Sequence, residues 1–156
     1  MLTDKLKLYQ YFPGLCIVSA VFISILTGIQ SLSYIAIFYW SVFRADLVPI
    51  SLLVGMGVIY DSLCSHFLGE ETFLYIALMS IIYVDRRFLL HRDFNYLWKN
   101  IVALLMVISI GKWLLSIKIG LTFLISHQIL DTLIGVFLFP VYVRIITFLY
   151  SRFATL

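Results

Sequence analysis

Charged residues are scarce in this sequence, because Asp, Glu, Lys and Arg make up only 12% of the 156 residues, whereas a soluble domain contains about 25%. Hydrophobic residues reach 63% and the mean hydropathy is +1.07. This composition argues against a water-soluble globular domain. A membrane span needs about 20 apolar residues, so we expect residues 1–156 to form one helical membrane domain without a separate enzyme domain.

Residue types that define other classes of protein are also sparse. The 11 Lys and Arg residues are scattered singly or in pairs, so the dense basic face that nucleic-acid binding needs is missing. The two cysteines, Cys16 and Cys64, have no second thiol or histidine at ligand spacing, and we expect two small buried hydrophobes rather than a disulfide or a metal site. No G-x-S-x-G, H-E-x-x-H or phosphate-binding loop occurs. We therefore expect no nucleic acid, metal, cofactor or catalysis.

Apolar runs between charged residues predict six spans. The second has about 12 residues, or ~18 Å of helix, so it either crosses a locally thinned bilayer or is half-embedded and shielded by its neighbours. The first run also fits a signal-peptide core, but it is long enough to remain a span. The predicted spans are residues 15–29, 32–43, 47–64, 72–90, 97–117 and 121–139.

The basic residues indicate how these spans are oriented, because Lys and Arg accumulate in cytoplasmic segments. With the N-terminus inside, nine of the eleven lie in inner segments, and only Lys112 and Lys118 do not. The acidic pair Glu70 and Glu71 then falls in an outer connection. We predict an all-α integral membrane protein, a compact bundle of six transmembrane helices with one of them short and both termini cytoplasmic. The sixth span should kink or end at Pro140 and continue along the inner interface.

Four ionisable residues are expected at membrane depth, where charge is costly and by default suggests function. Counting 1.5 Å per residue places Asp61, Lys112 and His127 at similar heights in the outer half, with Asp131 one turn deeper than His127 on the same face. These four residues form the predicted intramembrane polar layer. At least one opposite-charge pair should form, with Lys112 bonded to Asp61 or Asp131. The simpler interpretation, which we favour over ion transport or catalysis, is that Lys112 extends to the surface and the aspartates lock helices together.

Glycine, proline and aromatic residues mark positions of packing and of the membrane interface. Gly55 and Gly57, with Pro49 near the start of the third span, allow close helix approach or local unwinding, of which helix packing is favoured. Gly69 stands where a left-handed turn would precede Glu70. The aromatic residues expected to include interfacial anchors are Tyr39, Trp40, Trp98 and Trp113.

One stretch of the sequence resembles a known family. FYWSVFRADLVP over residues 38–49 is followed by GMGVIYD over 55–61, LG at 68–69 and the cluster DRR at 85–87. This order is similar to that of the MreD family, the rod shape-determining membrane proteins of bacteria. The late segment TLIGVFLFP, residues 132–140, resembles the Pro-containing final span of that family.

The resemblance implies a non-enzymatic component of the cell-elongation machinery in the bacterial inner (cytoplasmic) membrane. The implied partners are the transmembrane helix of the membrane-anchored MreC and, through MreC, the MreB filament and the peptidoglycan synthases. Contact with membrane lipids is expected, and a homodimer is left open. The resemblance also implies a fold like that of the substrate-binding subunits of energy-coupling-factor transporters, which is an analogy of fold and not of transport.

Two functions from different classes therefore remain open. The first is a scaffold that binds a partner's transmembrane helix, and the second is a small-molecule carrier or transporter subunit with an outward-opening polar pocket. A scaffold should have a paired and closed polar layer, with an apolar groove containing small residues on the lipid side. A carrier should have the polar layer lining a cavity of roughly 300 Å³ or more.

Overall fold

The computed structural model describes residues 2–64, 69–89, 93–119 and 124–154. That part of the chain forms six α-helices and contains no strand, so the predicted all-α class and the number of helices are confirmed. A short 3-10 turn, Ala45–Leu47, follows the second helix. The helices are α1 (Leu2–Thr27), α2 (Ser31–Arg44), α3 (Ile50–Cys64), α4 (Glu70–Leu89), α5 (Phe94–Ile119) and α6 (Leu124–Ala154).

Two helices extend beyond the apolar runs that predicted them. α1 begins at Leu2, because the residues before the apolar run include Lys, Leu and Gln, which have good helix propensity. α6 passes through Pro140 and ends at Ala154, so of the two predicted alternatives, a kink or an end at Pro140, the end does not occur. A proline removes one backbone hydrogen bond, and the apolar residues on both sides of Pro140 continue the helix.

The shortest helix lies at the centre of the bundle. α2 has 14 residues and packs against α1, α4 and α6. Ten of its residues are buried, including the large side chains of Phe38 and Trp40. The neighbouring helices therefore shield α2. This agrees with the interpretation that the short second apolar run is shielded by its neighbours.

The outer surface of the bundle is apolar. Two segments, Phe94–Leu114 in α5 and His127–Tyr150 in α6, are long and apolar enough to cross a membrane, and only 22% and 17% of them are buried. Large hydrophobic side chains such as Val84 and Phe137 are exposed. The core helix of a soluble protein would hide such a surface, whereas a lipid bilayer accepts it. By length and composition, two helices can therefore span a membrane.

The helix termini gather at two ends of the bundle. At the first end, the C-terminal parts of α3 and α5 meet the N-terminal parts of α2, α4 and α6. At the second end, Arg86 donates to the carbonyl of Val42 at 3.2 Å and forms a 3.5 Å salt bridge with Asp46, while Arg44 donates to the hydroxyl of Tyr150 at 3.0 Å. Successive helices therefore alternate in direction, as a sequence of spans requires.

The aromatic residues and cysteines differ in part from their expected positions. Trp40 is 2% exposed and packs edge-on against Phe12, so it is a core residue and not an interfacial anchor. Tyr39 is half-buried, whereas Trp98 and Trp113 are exposed. Both cysteines are free. Cys16 is half-buried and Cys64 is exposed, so the expectation of two buried thiols was wrong.

Candidate functional site

Asp61 binds the first turn of the next helix. Its buried carboxylate accepts hydrogen bonds of 2.7–3.2 Å from the N–H groups of Gly69, Glu71 and Thr72 and from the Thr72 hydroxyl. The first N–H groups of an α-helix have no partner within the helix, and a carboxylate also interacts favourably with the positive end of the helix dipole. Asp61 of α3 therefore caps α4.

Asp131 performs the same task for the central helix. Both of its carboxylate oxygens accept from the backbone N–H of Ser31, at 3.1 and 3.2 Å, and one also accepts from the Ser31 hydroxyl at 3.1 Å. Ser31 is the first residue of α2. Asp131 of α6 therefore caps α2, and the interpretation that the two aspartates lock helices together is confirmed.

Each capping aspartate is four residues from a glycine, and this glycine allows the two helices to approach each other closely. A Cβ on Gly57 would lie 2.6 Å from the Cα of Thr72, and a Cβ on Gly135 would lie 2.6 Å from the Cβ of Ser31. One helical turn separates each glycine from its aspartate, so close approach and capping occur on the same helix face. Gly55, by contrast, has open space where its Cβ would be, and of the predicted glycine pair only Gly57 makes a close helix contact.

Gly69 begins α4 in the predicted conformation. Its φ of +97° lies in the left-handed region that glycine adopts without strain. Glu70 and Glu71 follow Gly69 and lie in the first turn of α4. The sequence had predicted them in the connection before this helix. Glu71 is consequently 2% exposed.

Lys112 and Glu71 form the buried ion pair of this end of the bundle. The Lys112 ammonium donates to Glu71 Oε1 and, at 2.7 Å, to Gln30 Oε1, and it lies 5.4 Å from the centre of the Tyr34 ring. The Tyr34 hydroxyl donates to Glu71 Oε2 at 2.5 Å. Both charges are therefore inside the bundle and hydrogen-bonded, as a buried pair must be to offset its desolvation.

The predicted opposite-charge pair thus exists, but its predicted carboxylate was wrong. Asp61 and Asp131 are occupied by the helix N-termini that they cap, which leaves Glu71 as the partner of Lys112. The prediction that Lys112 extends to the outer surface was also wrong, since its side chain is 8% exposed. We call Gln30, Tyr34, Asp61, Glu71, Lys112 and Asp131 the polar cluster.

His127 lies near the start of α6. Its side chain is exposed, whereas Asp131, one turn later on α6, is half-buried and directed to α2. The position of His127 in the predicted polar layer stays a prediction. Helical spacing placed the two residues on one side of α6, but the contact of α6 with α2 covers only the part that carries Asp131.

Glu71, Gln30 and Tyr34 belong to the polar cluster but were not predicted from the sequence. A signal for Glu71 was present, because a glutamate directly after a predicted left-handed glycine turn stands in the first turn of a helix, where acidic residues are favoured. Gln30 and Tyr34 gave no such signal, since neither is unusual at the start of an apolar span.

A small cleft lies beside the polar cluster. The cleft beside it, between α2, α5 and α6, measures about 20 Å³ and is lined in part by Gln30, Tyr34, Lys112 and Asp131. That volume holds about one water molecule. Within the described residues, no group of three His, Cys, Asp or Glu side chains is arranged to hold a metal ion.

A much larger apolar groove lies between α4 and α5. Its volume is about 640 Å³ and it is half open to the outside. Among the lining residues that the structure describes, the ionisable ones are Glu70 and Lys112, which lie at the end shared with the polar cluster. The other lining residues are Phe73, Leu74, Ala77, Leu78, Ile81, Leu104, Val107, Ile108 and Gly111.

Comparison of the chain with protein-family models, with curated proteins and with solved structures gives no match. The observations that bear on function are therefore the internally hydrogen-bonded polar cluster, with its small cleft, and the large apolar groove.

Proposed function

We propose that this protein is a non-enzymatic membrane scaffold that binds the transmembrane helix of a partner protein. The observation that carries the proposal is the contrast between the two sites at one end of the bundle. The charged side chains of the polar cluster are hydrogen-bonded within the protein and the cleft beside them measures about 20 Å³, whereas the apolar groove measures about 640 Å³. A scaffold needs this combination, and a carrier of polar molecules needs the reverse.

The proposed topology has six spans with both termini in the cytoplasm. It is supported by the alternating helix directions and by the nine of eleven basic residues that lie in the segments this topology puts inside. The end of the bundle that carries Gly69 and the polar cluster is then the outer end. The exposed apolar side chains of α5 and α6 face lipid in this arrangement.

The proposed biological setting is the cell-elongation machinery of the bacterial inner membrane, with MreC as the helix donor and MreB and the peptidoglycan synthases as indirect partners. The support is the sequence resemblance to the MreD family. Within the similar stretch, Gly57 and Asp61 form the contact between α3 and α4, and Gly69 forms the turn between them. The similar residues thus have structural tasks, which fits a protein whose function is assembly.

A carrier function is disfavoured by the same geometry. A small-molecule site usually has a volume of about 300–1,000 Å³ with a few convergent polar groups. Here the polar groups converge on one another, and the large groove presents two ionisable residues at one end of an otherwise apolar lining. Lys112 is already bonded to Glu71 and Gln30.

The proposal is tested in cells by photo-crosslinking from one exposed position on each helix, combined with depletion of the protein. We expect crosslinks to a transmembrane segment of another protein, and depletion should change cell width and rod shape. The purified protein should turn over neither lipid-linked nor peptide substrates. Transport or turnover of a small molecule by the purified protein would contradict the scaffold function.

A further inference from the structure

We infer that the groove between α4 and α5 binds a single transmembrane helix of another protein, and that this helix carries a Lys or Arg at the level of Glu70. The inference deepens the proposed function and rests on it, since it assigns the binding surface and the chemistry of the partner. Its steps are the separation of α4 from α5, the spacing of the groove residues, the small residues among them and the charge at one end.

α4 and α5 are consecutive in the chain but hardly touch. α4 packs against α3 and α2, while α5 packs mainly against α6. Helices that are neighbours in a membrane bundle usually pack side by side. Here α4 and α5 instead pack against other helices, on the sides that face away from the groove. The two walls of the groove, α4 and α5, are therefore held in place by different neighbouring helices, and the groove between them is a stable feature of the fold.

The groove residues follow the spacing of a helix-packing seam. On α4, Glu70, Leu74, Ala77 and Ile81 are separated by four, three and four residues, and on α5, Leu104, Ile108 and Gly111 are separated by four and three. This alternation keeps side chains on the stripe that faces another helix. The α4 wall runs from Glu70 to Ile81, 12 residues or about 16 Å along the helix axis, which corresponds to three turns of an inserted helix.

Small residues in both walls allow the backbone of such a helix to approach. Ala77 lies in the middle of the α4 wall, and a Cβ added at Gly111 would meet no atom within 4 Å. Association of helices in a bilayer depends on close van der Waals contact at small residues. Larger side chains, Phe73 on α4 and Val107 on α5, are exposed beside them and are available to contact the sides of the inserted helix.

The charge at one end of the groove distinguishes a helix from a lipid. Glu70 is half-buried in the wall, and the salt bridges found among the described residues do not include it. Among the side chains that the structure describes at this end, Asp61, Glu71 and Asp131 add three carboxylates, while Lys112 supplies one cation that Glu71 already binds. A phospholipid would bring a phosphate toward this negative end and be repelled. A helix with a Lys or Arg at that level would be attracted to Glu70, and this pairing of opposite charges would fix its position along the groove.

The first experiment is site-specific photo-crosslinking of the full-length protein in the membranes of its host cells. A photoreactive residue replaces Ala77 or Val107 in the groove, and Leu133 or Phe137 on the exposed side of α6 as controls. We expect the groove positions to crosslink to one transmembrane segment of a single protein, identified by mass spectrometry, and the α6 positions to give no crosslink to that segment.

The second experiment fills the groove without disturbing the core. Gly111→Leu places a side chain in open space inside the groove, and Gly55→Leu is the matched control, because Gly55 is also exposed, helical and without a neighbour at its Cβ. Both variants should reach the membrane in normal amounts. Gly111→Leu should lower the crosslink yield about tenfold or more, as expected for an overpacked contact, while Gly55→Leu should leave it unchanged.

The third experiment tests the charge. Glu70→Lys should weaken crosslinking more than Glu70→Gln, and exchange of the partner's basic residue at that level for Glu should restore crosslinking to Glu70→Lys. Asp85→Lys, at the far end of α4, is the control and should have no effect. Equal crosslinking by Glu70→Lys and the unchanged protein would overturn the charge assignment.

The outcomes separate this inference from the proposed function. Crosslinks to a protein partner from α6 but not from the groove would overturn the groove assignment and leave the scaffold function standing. Groove crosslinks only to lipid, or only to a second copy of this chain, would overturn the partner assignment. Failure of every exposed helix position to crosslink to another protein would contradict the scaffold function itself.

Discussion

Asp131 accepts hydrogen bonds from both the backbone N–H and the hydroxyl of Ser31, a residue one hundred positions earlier in the chain. This contact fixes the start of the central helix α2 to α6. Asp61 makes the equivalent contact with the start of α4, and each aspartate is accompanied by a glycine one turn away. Two carboxylates that a sequence search would propose for transport or catalysis are thereby used to join helices.

Removal of the Asp131 carboxylate should destabilise the protein. Loss of an N-terminal cap costs roughly 0.5–2 kcal/mol, and Asp131→Ala leaves the Ser31 N–H without its acceptor. We expect a lower unfolding temperature in detergent, measured by size-exclusion chromatography after heating. Asp131→Asn keeps one acceptor and Ser31→Ala keeps the N–H bond, so both should lose less. Equal unfolding temperatures for all three variants and the unchanged protein would show that the cap does not contribute.

Gly57→Ala should reduce the yield of folded protein far more than Gly55→Ala. The new Cβ at residue 57 would lie 2.6 Å from the backbone of Thr72, and overpacking of this kind costs roughly 1–3 kcal/mol. The two glycines are two residues apart on α3, so expression and helix propensity are matched. The measurement is the fraction of monodisperse protein after extraction, and the prediction is contradicted if the two variants behave alike.

Lys112 and Glu71 should be strongly coupled in a double-mutant cycle. Lys112→Met leaves the buried Glu71 carboxylate without its cation, and loss of one partner of a buried pair costs roughly 3–5 kcal/mol. Glu71→Gln alone should also be harmful, because it leaves the ammonium unpaired. The double variant should be more stable than the sum of the two losses predicts. Additive losses in thermal unfolding would show that the pair does not interact energetically.

The proposed topology predicts opposite locations for two reporters. A fusion after Leu156 should report the cytoplasm, and a reporter inserted beside Glu70 should report the outer side, because nine of the eleven basic residues lie in the inner segments of a six-span arrangement. Dual alkaline phosphatase and green fluorescent protein fusions measure both sides in the same strain. An outward C-terminus would exclude six spans.

The sequence by itself determined the features that depend on neighbouring residues along the chain. Apolar runs separated by charges gave the six helices, since hydropathy and helix period are local properties. Gly69 was identified as a left-handed turn because only glycine adopts that conformation without strain. The need of Lys112 for a carboxylate was also evident, because an unpaired charge at that depth is costly.

The tertiary structure decided which partners meet. Depth along each helix placed Asp61, Lys112 and His127 at similar heights and Asp131 one turn deeper, but depth does not say which helix faces which. Asp61 and Asp131 became caps because the N-terminal turns of α4 and α2 lie against them, and Lys112 was left with Glu71. The central position of α2 and the gap between α4 and α5 arise in the same way, because they depend on how rigid helices share a limited number of packing faces.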